Sequence, residues 1–203
     1  FYNVPKSRQN YVVSYDAIGA LPTVDERAKL ALFDEYFGGN MSSVLFQHVR
    51  EFRSLAYSTN GQASTTSLAQ HPEAVQGYIT ATGTQADKTV EVLATVDSLL
   101  RQMPMKENNL DAARQSVLNE IQSGYPAFRN MPAYVANQRM LGNTTVPGAA
   151  IARLLPSVTA QDVIQFHQQH IGANNNRVWI IIGDKKLTDM KALSRFGKVV
   201  ELK

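Results

Sequence analysis

Between residues 9 and 20 the chain alternates, with Tyr11, Val13, Tyr15 and Ala17 falling on one side. A period of two predicts a strand. The period changes at Pro22-Thr23, after which Ala28, Leu32, Phe33 and Tyr36 recur at helical spacing. That spacing predicts an amphipathic helix. Thr23 and Glu26 stand where a capping box needs them, each side chain satisfying a backbone N–H left over at the helix start. Gly38-Gly39 is expected to end the helix, because glycine accepts the left-handed conformation there. A second helix is expected over roughly 42 to 52, started by Ser42 or Ser43.

Two further strands are predicted near 55–66 and 77–83, rich in Tyr, Thr and small residues. Helices near 86–102, 107–123 and 131–141 follow, with Gly124 and Gly142 as stops for the last two. Thr159 is expected to cap a helix that ends at Gly172, and Arg177 to Ile182 reads as a buried strand. A short helical turn and a strand from Lys198 to Leu202 close the chain. Strands and helices interleave without a regular β-α-β rhythm, so the expected class is α+β: a mixed, mainly antiparallel sheet covered by helices. No Pro/Gly/Ser-rich linker or repeat divides the chain, which leads to the expectation of one domain over residues 1–203.

Composition narrows the choices. Hydrophobic residues make up 44% and charged residues 18%, an ordinary globular balance. The longest apolar run, Val178 to Ile182, is far too short to span a bilayer. There is no cysteine, which excludes disulfides, Cys-based zinc sites, iron–sulfur ligation and a thiol nucleophile. The net charge of +3 is modest, and the basic residues gather only near the end, from Lys185 to Lys203. They lack the interleaved aromatics of a nucleic-acid surface and read as a solvated face. The chain opens at Phe1 rather than Met, so it is expected to be a processed product or a piece of something longer.

Candidate chemistry centres on residues 42–58. His48-Val49-Arg50-Glu51-Phe52 follows the H-x-x-E-H zinc pattern up to its last position, where Phe52 cannot ligate. Catalytic zinc needs three protein ligands and an open position, so this segment is not expected to hold it. His167 and His170 share the three-residue spacing of metal ligands, but no Asp or Glu lies between them. They read as the solvated side of a helix whose Val163, Ile164, Phe166 and Ile171 face inward. No serine lies in a G-x-S-x-G elbow, and Gly38-Gly39 lacks the Lys-Ser/Thr of a phosphate loop.

The run Glu35-Tyr36-Phe37-Gly38-Gly39-Asn40-Met41-Ser42-Ser43, then Leu45-Phe46, Val49-Arg50-Glu51, Arg53 and Leu55-Ala56-Tyr57-Ser58, resembles a known domain. It is similar to the C-terminal, non-zinc-binding domain of the pitrilysin/insulinase family of zinc metallopeptidases. Thr159 to Val163, leading to Val178 to Asp184, resembles the closing helix and strand of the same domain. The resemblance implies half of a two-domain peptide chamber, closed over a zinc-bearing H-x-x-E-H partner on the same chain or another subunit. No cofactor is implied for this chain, since the zinc belongs to the partner. The resemblance also places the family's R-x-x-x-x-x-x-Y pair on Arg50 and Tyr57, with peptide as substrate. Phe46, one turn before Arg50, is read as core first and as a substrate contact second. Leu32 and Tyr36 would occupy the two histidine places of the sister domain's zinc helix. Ser54 departs from the pattern, since a Gly is usual before Leu-Ala-Tyr. Exported bacterial members lean the expected compartment toward the periplasm or cell envelope.

The physical role of such a pair stands apart from the family. When a peptide carbonyl is attacked its oxygen becomes an oxyanion, and a phenol O–H and a guanidinium aimed at that charge stabilise it more than they stabilise the substrate. A non-catalytic scaffold of the same fold, like the core subunits of respiratory complexes, is the second reading, and an unrelated α+β binding module the third. The scaffold has no need of the Arg50/Tyr57 pair.

Overall fold

The computed structural model describes residues 1–202. A two-residue strand, β1 (Tyr2–Asn3), precedes β2 (Gln9–Ala20), in which every second side chain from Asn10 to Ile18 is buried. Next comes α1 (Val24–Asp34), with both halves of the Thr23–Glu26 capping box made. It runs on into a π-helical turn, Glu35–Gly39, and a second such turn, Phe46–Glu51, follows. β3 (Ala56–Ser64) and β4 (Val75–Gln85) come next. The helices α2 (Thr89–Arg101), α3 (Glu107–Ser123), α4 (Met131–Met140), α5 (Pro147–Leu154) and α6 (Ala160–His167) lead to β5 (Val178–Gly183). A short α7 (Met190–Leu193) lies near the end.

The strands form one sheet in the order β1-β5-β2-β4-β3. β2 pairs antiparallel with β4 and β5, β3 pairs antiparallel with β4, and only β1 runs parallel, beside β5. The fold is α+β with a mixed, mainly antiparallel sheet, as the alternation and helix spacing predict. Aromatic packing joins its layers. Phe33 lies 5.3 Å from Phe37, 5.0 Å from Tyr78 of β4 and 5.8 Å from Phe166 of α6, ring centre to ring centre.

The two faces of the sheet invert the usual arrangement. Toward the helices it presents polar side chains in pairs, because a buried hydroxyl or amide without a partner is costly. Asn10 donates to Thr89 (2.8 Å) and Thr188 (2.7 Å), Ser14 pairs with Thr80 (2.6 Å), and Thr59 with Thr82 (2.7 Å). Asp16 is fully buried and accepts from Arg177, whose guanidinium also reaches Asp97 on α2. Toward solvent the sheet presents Tyr11, Tyr15, Ile79, Val178, Ile180 and Ile182, all exposed.

Several expectations need correction. Gly38 and Gly39 do not stop a helix through a left-handed conformation, since neither has positive φ. A Cβ on Gly38 would lie 2.4 Å from the Gly61 backbone, so the glycine is needed where β3 crosses the helix end. Gly124 is likewise right-handed, with φ −71°, whereas Gly142 has the expected positive φ of 84°. The strand at Arg177–Ile182 is not buried throughout: only its alternate residues Ile181 and Gly183 are, because its outer face has no helix over it. No strand forms at Lys198–Leu202. A single bridge joins Leu202 to Tyr2, because the two-residue β1 offers nothing longer to pair with. His167 is in the core rather than on a solvated side, its Nε2–H donating 2.9 Å to the Leu100 carbonyl beside Phe33 and Phe37. β1 and α5 were not anticipated from periodicity, being two and eight residues long.

Candidate functional site

The segment from Phe46 to Tyr57 folds back on itself. Three backbone bonds close the helical turn: Phe52 N–H to Gln47 O, Ser54 N–H to Arg50 O (2.9 Å) and Leu55 N–H to Val49 O (3.0 Å). Ser54 stands in the left-handed region at φ 52°. A left-handed residue just past a helix is a common terminator and usually a glycine. Ser54 therefore keeps the turn that the family's Gly would make, with a side chain in a strained place. The chain then enters β3, where a β-bulge between Ala56 and Ser58 breaks the register with β4. A bulge re-aims the residue it contains. Tyr57 sits in it and is 82% exposed.

The reversal stacks three side chains. The guanidinium of Arg50 lies 4.7 Å from the ring centre of Phe46 and 4.5 Å from that of Tyr57. Phe46 precedes Arg50 by four residues, which puts them on one side of the helical turn, and Tyr57 closes over them from the strand. Phe46 is half-buried and serves as one wall of this stack rather than as inner core. A contact from Arg50 Nε to Glu51 Oε1 (3.5 Å) is its one ion pair among the described residues, and its terminal nitrogens make no hydrogen bond to any of them. Contacts with two rings restrain the guanidinium, while its terminal N–H groups stay unpaired among the described residues. Cation–π contacts of this kind orient the cation without neutralising it. The arrangement can present a fixed positive edge and a phenol O–H to an incoming oxygen.

The near-zinc motif does something else. His48 packs edge-on against Phe52, 5.2 Å between ring centres, and the Arg53 guanidinium donates to the His48 carbonyl at 3.0 Å. Burial, then the Arg53 charge, pushes the His48 pKa down. A cation beside the imidazole and an aromatic ring in place of the second histidine do not fit zinc. Nor do the α1 positions: Leu32 is fully buried, and Tyr36 donates its hydroxyl to Pro104 O (2.9 Å) and accepts from Lys106 N–H (2.8 Å). His170 donates to Ile18 O (2.7 Å). Among the described residues no three His, Asp or Glu side chains converge as a metal set. No described helix is long and apolar enough to cross a membrane.

What sequence reasoning missed is the wall opposite β3 on α1. There Arg27 is buried and Asp34 is two turns further along the same helix, and both line one cavity. The signal was present: a charged residue at position 27, among apolar positions of a core-facing helix.

A family model described as the peptidase M16 inactive domain matches residues 10–117, more than half of the chain. Solved structures are similar over most of it. A peptidase M16 inactive domain from Pseudomonas fluorescens aligns with TM-score 0.70 and 17% identity, covering 91% of this chain and 43% of that one. The inactive peptidase domain of a Bordetella parapertussis protein aligns with TM-score 0.68 and 15% identity, covering 88% and 96% respectively. The periplasmic protease PqqL from Escherichia coli aligns with TM-score 0.68 and 17% identity, covering 91% of this chain and 20% of that one. At these identities the likeness is one of fold. The chain spans under half of the first and about a fifth of the third. Among curated proteins nothing matches.

Proposed function

The chain belongs to the peptidase M16 inactive-domain family, and from that premise we propose that it is the zinc-free, closing half of a zinc metallopeptidase acting on peptides. The observation that carries the reading is the stack of Arg50 between Phe46 and Tyr57 at the end of an edge strand. A guanidinium clamped by two rings, with its N–H edge free, is pre-oriented for a carbonyl oxygen that is gaining charge. The neighbouring Tyr57 O–H supplies a second donor. Such donors act mainly on the transition state, because the charge they meet is full only there. Phe46 contributes by holding the guanidinium plane and bordering the peptide.

Two features suit an extended peptide. β3 is the outermost strand on its side, and outside Ala63, whose N–H donates to Asp34 (3.1 Å), its outer edge can pair with a peptide backbone with little demand on sequence. The exposed apolar face carrying Tyr11, Tyr15, Ile79 and Ile180 suits the inner wall of a chamber. The zinc would be held by a partner domain bearing H-x-x-E-H, on the same chain or on a second subunit, and this chain would hold none.

The test reconstitutes the chain with that zinc-bearing half. Tyr57→Phe removes one O–H, and kcat should fall on the order of 10²–10³-fold, as for loss of one oxyanion-hole donor. Zinc content should stay constant, and KM should move less than kcat. Arg50→Lys should also lower kcat, since a flexible ammonium lacks the planar fork that the two rings hold. Unchanged kcat in both folded variants would leave the domain as a scaffold.

A further inference from the structure

No residue of α4 is buried. The helix continues from a short turn, Phe128–Asn130, and Tyr134 holds one side of it by meeting Tyr125 edge-on at 6.4 Å. Along another side runs an open groove lined by Phe128, Met131, Pro132 and Val135, with Arg129 and Arg139 beside them. Phe128 is 91% exposed and Met140, at the far end of the helix, 84%. The four apolar residues stand at i, i+3, i+4 and i+7, the spacing with which one helix lies against another. An exposed apolar stripe with a polar rim marks an interaction site more often than an idle surface.

The charges around the groove have one sign. From residue 121 to residue 161 the chain carries three charged side chains, Arg129, Arg139 and Arg153, and the carboxylates that bracket this stretch are Glu120 and Asp162. Neither Arg129 nor Arg139 makes an ion pair or a side-chain hydrogen bond among the described residues. The type of cation matters too. Protein interfaces are rich in arginine and aromatics and poor in lysine, because a planar guanidinium pairs with a carboxylate through two hydrogen bonds. Here every cation is an arginine, whereas the basic run near the C-terminus is mostly lysine and is interleaved with Asp189 and Glu201. An anionic lipid surface calls for clusters of about four to eight Lys or Arg, and this groove has two.

We infer that the groove along α4 docks an acidic amphipathic helix of a partner protein, with apolar residues on Phe128, Met131, Pro132 and Val135 and carboxylates on the two arginines. Arg129 and Arg139 are ten positions apart, which is roughly 15 Å along a helix axis. The partner's carboxylates should therefore stand about ten or eleven residues apart, where a helix returns to the same face. None of the groove residues belongs to the Phe46–Arg50–Tyr57 stack, so the docking site does not rest on the peptidase reading.

Fluorescence anisotropy on the full chain tests this with a labelled, alanine-based helical peptide that carries leucines along one face and glutamates at both ends of that face. It should bind saturably at one per chain, and added salt should weaken it. The same peptide with lysines for the glutamates should bind about tenfold more weakly or worse. Phe128→Ala should weaken the acidic peptide about tenfold, as loss of a central aromatic anchor does, and Arg129→Gln combined with Arg139→Gln should do the same. These side chains are exposed, so the variants should fold as the parent does. The proposal is overturned if the acidic peptide does not saturate, if the lysine peptide binds as tightly, or if the variants bind unchanged. It is also overturned if phosphatidylglycerol vesicles bind through Phe128 and the peptide does not, or if Phe128→Ala instead abolishes a dimer of the chain seen by sedimentation.

Discussion

Arg177 and Arg50 present the same guanidinium in opposite ways. Arg177, with 3% of its side chain exposed, joins Asp16 of β2 (2.8 Å) to Asp97 of α2 (2.9 Å) and donates to Ile171 O (3.2 Å). Asn174 adds a further bond to Asp16 at 2.9 Å. Each edge of that guanidinium is engaged, so it ties together the sheet, a helix and the turn after α6 and has nothing left for a ligand. Arg50 is held by ring faces, which restrain orientation but consume no N–H. The difference teaches where to look for chemistry in this fold: a charge whose hydrogen bonds are complete is architecture, and a charge that is oriented but unsatisfied is available.

The widest separation between the two regions is expected in stability. Arg177→Met should cost about 3–5 kcal/mol, because it strands a buried Asp16 carboxylate whose pKa burial already pushes up. Urea unfolding followed by circular dichroism would measure it, and a loss below about 1 kcal/mol would mean that the network is not holding the layers together.

Asp34 is the next largest. Burial pushes its carboxyl from 3.8 up to about 6, against the pull of the Ala63 N–H, with the charges of Glu35 and Glu120 adding to the rise. Because the folded value is the higher one, the folded chain holds this proton more tightly than the unfolded chain. The resulting stabilisation is complete below pH 3.8 and is lost as pH rises through about 6. It amounts to about 3 kcal/mol at most, since each tenfold gain in proton affinity contributes about 1.4 kcal/mol. Asp34→Asn should flatten the stability curve over that window, and an unchanged slope would show that another group sets it.

Arg50→Met should have a smaller effect on folding. Two partly exposed cation–π contacts at about 0.5–1 kcal/mol each put the loss near 1–2 kcal/mol. Thermal unfolding beside Arg177→Met would rank them, and equal losses would erase the distinction between an architectural and an available arginine. Ser54→Gly is expected to run the other way. Relief of a left-handed serine should raise stability by about 0.5–1 kcal/mol without disturbing the stack. A drop in melting temperature would mean that the Ser54 side chain contributes something beyond its backbone.

Local chemistry alone made much of this molecule legible. The alternation at 9–20, the Thr23–Glu26 capping box, the cap at Thr159 and the helix over 107–123 follow from residues within a turn or two of one another, and each appears in place. The motif from Glu35 to Ser58 was legible for the same reason, being contiguous. Long-range contacts decided the rest. Gly38 answers to Gly61, His167 to Leu100, and the exposure of β5 to the lack of a helix over its outer face. No periodicity encodes those encounters. The sequence marks Arg50 by its motif but not by its surroundings. That it stands between two rings with its hydrogen-bonding edge free, while Arg177 is closed in by carboxylates and Arg27 is left without one, depends on which elements the sheet order brings together. Charge and donor number are properties of the residue, whereas satisfaction is a property of the neighbours that tertiary structure supplies.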